Sequence, residues 1–168
     1  MAQEHVPAES EVLQSTLNGA RSHVVGILDG LSDEDLHRPA LPSGWTCLGL
    51  VNHLAVDVER FWFGQVMAGH AVDAGESADD AWQIAPGVPA AEVIESYRRD
   101  IERADAVIRA KPLDASPTWW PEELFGSWRL NNMREIMLHV ITETSIHAGH
   151  LDAARELIDG RQWLVLTG

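Results

Sequence analysis

Four side chains between positions 139 and 150 have the types and spacing for metal chemistry: His139, Glu143, His147 and His150. On a helix turning about 100° per residue they lie at about −40°, 0°, +40° and −20° relative to Glu143, a single narrow face. An i, i+4 pair such as Glu143 and His147 can close on one cation, and the i, i+3 pair of His147 and His150 can do so as well. One ion cannot take all four, because His139 and His150 would stand about 16 Å apart along the axis. His139 is the expected outsider. Ligands from one helix leave such a site incomplete, so a further donor must come from another element. His53 is the best placed, between Leu50 and Leu54 and beside an apolar stripe, with Asp57 one turn later as the weaker alternative. Taken alone, a histidine in that setting is by default a hydrogen-bonded structural residue. The cluster reads differently because the same sector carries Val140, Thr144, Leu151 and Ala154. A carboxylate among them is costly without a partner, and a cation offsets that cost.

These donors need helices to position them, and four stretches have helical periodicity, at about 9–31, 46–68, 89–110 and 132–159. The first repeats Val12, Leu13, Leu17, Ala20, Val24, Ile27, Leu28 and Leu31 at three- and four-residue steps, with Gly30 as its expected C-cap. Thr46 is a good N-cap for the second, and Pro89 fits the first position of the third. Asn132 followed by Glu135 predicts a capping box for the fourth, and Gly160 its C′ residue. Its 28 or so residues would span about 40 Å. Residues 32–45 are a connection with room for a short helical turn near Ser32. Residues 69–88, with Trp82 as an anchor, and residues 111–131, with Trp119 and Trp120 beside Pro121, read as long loops. Nothing reads as a strand. The expectation is an all-α four-helix bundle, one domain over residues 1–168, in which long connections cross over.

Composition narrows the function. The 168 residues hold 26 acidic and 12 basic side chains, a formal charge of −14, which argues against non-specific binding to nucleic acid or anionic lipid. No apolar run approaches the 18 or so residues of a membrane span. The polar, acidic start lacks a signal-peptide layout, so a cytoplasmic location is expected. The single cysteine, Cys47, excludes an intrachain disulfide and Cys-rich metal sites. The helix dipole could lower its pKa, but it lies about 120° around the helix from His53, so a small buried thiol is the expected role. Ser127 has no nucleophile-elbow setting, and no glycine-rich phosphate loop is present. Lys111 is the only lysine, a bias typical of GC-rich genomes.

Residues 43–54 (SGWTCLGLVNHL) and 143–152 (ETSIHAGHLD), followed by Arg155-Glu156 and Asp159-Gly160, resemble the DinB-like (YfiT-like) four-helix bundle superfamily. Within it they are most similar to the actinobacterial branch related to mycothiol S-transferases and mycothiol-dependent maleylpyruvate isomerase. The resemblance implies an up-down-down-up bundle and a divalent cation, usually zinc or nickel, held by three side chains. The matching positions are His53, Glu143 and His147. Many relatives have His where this chain has Glu143, and the isomerase branch has Glu. His150 stands where the wider superfamily often has Gln, so it is either a further ligand or a neighbour that moves protons. The implied activity is transfer of a small thiol, mycothiol, to an electrophile such as a chlorinated or epoxide-bearing compound, by a monomer or homodimer. Three protein ligands leave an open metal position, and a coordinating thiol loses its proton to the cation's field. Hydrolysis of a small ester or amide, or a non-catalytic metal-binding stress protein, are the competing readings.

Overall fold

A computed structural model describes residues 7–71 and 81–163. The polar start at 1–6, residues 72–80 of the expected 69–88 loop, and residues 164–168 lie outside that range. The described residues form an all-α bundle with no strand. Its helices are α1 (Glu9–Ile27), α2 (Asp33–His37), α3 (Cys47–His53), which continues into a π-helical segment (Leu54–Met67), α4 (Ala90–Ala110), α5 (Glu122–Phe125) and α6 (Met133–Asp159). α1 packs along α6, and the 47–67 helix packs along α4 while also touching α6. No helix among the described residues is long and apolar enough to cross a membrane.

Local chemistry sets most of the boundaries. In α1 the buried positions Leu17, Ala20, Val24 and Ile27 form one stripe. The helix stops at Ile27, short of Leu31, because the chain turns through Gly30 at φ 78°. Thr46 Oγ1 accepts from Gly49 N at 2.9 Å and starts α3. Ser32 Oγ accepts from Asp35 N at 3.1 Å and starts α2. Pro89 stands one position before its expected place, as N-cap, and the Asp33 carboxylate accepts from Ala90 N at 2.9 Å.

At α6, Asn132 Oδ1 accepts from Glu135 N at 3.0 Å. The reciprocal bond of the expected capping box lands one residue earlier, since Glu135 accepts from Asn131 N at 2.8 Å. Gly160, at φ 77°, ends the helix.

The second helix departs most from expectation. It is one continuous element, but past His53 its hydrogen-bonding step lengthens, as in the bond from Ala68 N to Phe63 O at 3.1 Å. The i→i+5 step is rare, and such segments are frequent at functional sites.

The 111–131 connection is tied down rather than free, and it contains α5. Thr118 N donates to Val66 O at 3.0 Å, Thr118 Oγ1 donates to Met67 O at 2.7 Å, and Met133 N donates to Ala115 O at 2.9 Å. Trp120 is buried against Trp62 as a result, with ring centroids 5.9 Å apart.

Candidate metal centre

The buried stripe of α6, Val140, Thr144, Ala148 and Leu151, faces the core. Glu143 and His147 flank that stripe at its edge and look across the seam between α6 and the 47–67 helix. His53 is the last residue of α3, at the junction with the π-helical segment. One ligand atom from each of His53, Glu143 and His147 lies within 4.8 Å of the other two. Donors about 2.0–2.2 Å from a cation sit roughly 3–3.5 Å apart in a tetrahedron, so the set must contract by at most about 1.8 Å.

The donor chemistry fits a divalent cation. Two imidazoles and a carboxylate are a known catalytic zinc set with room for a fourth ligand. Burial, reinforced by the neighbouring His53, pushes the His147 imidazole down to about 4. It is therefore neutral near pH 7, the form that can ligate. Its Nε2 lies 3.7 Å from Glu143 Oε2. The His53 and His147 side chains are only 15% and 12% exposed, whereas that of Glu143 is 36% exposed and marks the open side.

The remaining candidates take other places. His150 lies outside the three-donor set; it is exposed, with Nδ1 3.4 Å from His147 Nδ1 and its ring 6.4 Å from Trp45. Asp57 also stands outside the set and instead accepts from His53 Nδ1–H through Oδ2 at 2.8 Å. His139 packs against Trp62 and Trp128, with centroids 4.7 and 5.6 Å away, and burial lowers its pKa. Cys47 is 1% exposed, and burial raises its thiol to about 11, so desolvation overrides the helix dipole. Of the tryptophan pair, Trp120 is buried and Trp119 is exposed on the outside.

Trp82 has a role that spacing did not reveal. Its indole stacks on His53 with centroids 4.1 Å apart and planes 20° from parallel, and it meets the His147 ring at 5.6 Å. The i, i+4 spacing of His53 and Asp57 was a usable signal for their hydrogen bond. The placement of Trp82 depends on the path of a loop, which no local pattern encodes.

The Mycothiol-S-transferase family model matches residues 12–160. The chain belongs to this family. The matched span opens within α1, closes at the Gly160 cap of α6, and takes in every donor described above. No curated protein and no solved structure matches the chain. Membership of the mycothiol S-transferase family agrees with the all-α bundle, and within it this chain presents a His/Glu/His set that could hold a metal.

Proposed function

We propose that the protein transfers a small thiol, mycothiol, onto an electrophilic carbon, using a divalent cation held by His53, Glu143 and His147. The observation carrying this reading is the convergence of those donors to within 4.8 Å, in a chain whose family is named for thiol transfer. When bound, a cation such as zinc, or nickel in its place, supplies the field that keeps a coordinating thiol deprotonated near neutral pH.

The chain's own residues divide the remaining work. His53 and His147 offer lone pairs from a largely buried seam, and Glu143 keeps that seam open on one side. His150, at the surface beside His147, accepts the proton the thiol releases and passes it to water. A sulfur–carbon bond forms while the bond from carbon to a leaving group such as chloride breaks, and the chloride departs with the electron pair. Cys47 takes no part, because it is buried and protonated at neutral pH. A cytoplasmic location suits a reaction that consumes a reduced thiol.

The test is to mix zinc-loaded protein with 1-chloro-2,4-dinitrobenzene, with and without mycothiol, and follow the conjugate by mass spectrometry. Conjugate should form only with thiol and metal together and be lost in His53→Ala. His150→Ala should keep its zinc and lose rate. Turnover of a small ester without thiol would replace the transferase by a hydrolase. No turnover with any partner would leave a metal-binding protein without catalysis.

A further inference from the structure

His53 is held from two directions at once. Its Nδ1 is 2.8 Å from Asp57 Oδ2, one turn along the same helix. A carboxylate can only accept, so in the neutral imidazole the proton resides on Nδ1 and Nε2 carries the lone pair. Trp82 covers one face of the ring in a near-parallel stack at 4.1 Å. The indole is itself seated by two residues of α3. Asn52 Nδ2 donates to Ala81 O at 2.9 Å. Gly49 lets the Trp82 backbone approach so closely that an added Cβ would run into the Trp82 carbonyl oxygen, with the carbonyl carbon 3.1 Å away. Gly49, Asn52 and His53 thus act in one assembly. The first two receive the loop, and the loop's indole lies on the third.

We propose that Asp57 and Trp82 are positioning residues that hold His53 in one tautomer and one ring orientation for metal binding, with Gly49 and Asn52 as the seat for Trp82. The proposal rests on the reading that His53, Glu143 and His147 hold a cation. A partner on the second ring nitrogen fixes the tautomer and raises ligand basicity, and losing such a partner costs about 10–100-fold in metal affinity. The indole adds a lock on rotation about the ring's bond to Cβ and keeps water off that face. Gly49→Ala would displace Trp82 without changing any aromatic group.

Two measurements test this. In metal-free protein, long-range ¹H–¹⁵N spectra should show His53 as the Nδ1–H tautomer in wild type and a shift toward Nε2–H in Asp57→Ala. In competition with a chromophoric chelator for zinc, Asp57→Ala should bind about 10–100-fold more weakly. Trp82→Ala and Gly49→Ala should bind several-fold more weakly, and Trp82→Phe should recover most of the loss. Circular dichroism checks that each variant is folded. An unchanged tautomer together with zinc affinity within threefold of wild type in Asp57→Ala would overturn the role of Asp57. Unchanged affinity in both Trp82→Ala and Gly49→Ala would overturn that of Trp82. If wild type and His53→Ala take up zinc equally, the three-donor reading fails, and the metal-free spectra still decide whether Asp57 sets the tautomer.

Discussion

The 47–67 helix carries polar groups into two very different settings. Toward α1 and α4 it presents Glu59 and Arg60, and every charge there is answered within the protein. Glu59 takes both Nε and Nη2 of Arg21 at 2.7 and 2.6 Å, and Arg21 Nη1 reaches Asp105 at 2.7 Å. Asp100 accepts from Arg60 at 2.7 Å and from Arg103 at 3.0 Å. Burial raises the Glu59 carboxyl while the Arg21 guanidinium pulls it back. Toward α6 the same helix presents His53, whose ring faces two more electron-pair donors. The first region joins opposite charges, whereas in the second burial and the neighbouring imidazoles disfavour a proton on His147 more than the Glu143 carboxylate favours one. Among the described residues these electron-pair donors gather without a cation of the protein's own between them, which supports the proposal that the seam takes up a metal ion.

Removing one partner from the satisfied region should have the largest effect. Glu59→Ala takes the buried carboxylate from Arg21, which is 3% exposed and keeps only Asp105 and Asn18 on Nη1, and should cost about 3–5 kcal/mol in urea denaturation. Zinc affinity of the fraction still folded should hardly change. If stability falls by less than 1 kcal/mol, the ionic layer contributes little and the contrast loses its structural half.

The seam should respond to metal instead. Zinc at about 100 times its Kd should stabilise the wild type by about 2.7 kcal/mol, an increment abolished by chelator and by His147→Ala. A metal-free His147→Ala protein should itself be nearly as stable as metal-free wild type. Equal thermal shifts in wild type and variant would place the binding elsewhere.

The same imidazole should also make stability depend on pH. The His147 pKa falls from 6.5 to about 4 on folding, so between those values the unfolded chain binds a proton that the folded chain refuses. Metal-free stability should be full above pH 6.5, decline as pH falls toward 4, and change no further from this group below that. His147→Gln should flatten this window relative to wild type, as measured by denaturant melts at half-unit steps. Identical pH profiles would show that the seam does not penalise the imidazolium.

Legibility followed the range over which each feature is encoded. Asn132, Thr46 and Gly160 act within a few residues, so their capping roles could be read directly. The shared face of Glu143 and His147 follows from one helical turn, and the family model covers both segments that carry the resemblance. The partnership of Arg21 and Glu59 spans 38 positions and leaves no periodic trace, since each looks like an ordinary charge on a polar face. The seat of Trp82 was hidden for the same reason. The lengthened step of the 54–67 segment was hidden because its apolar residues also satisfy an α-helical pattern.

That lengthened step sets the angular phase between the helix's two faces. Each residue after His53 is turned less about the axis than α-winding would turn it, so the pitch decides where Glu59 points once His53 is fixed. Losing one codon within this stretch would rotate one region out of alignment whichever end stayed anchored. The 47–67 helix therefore works like a key cut on both edges, tolerant of substitution on its outer surface and intolerant of any change in length.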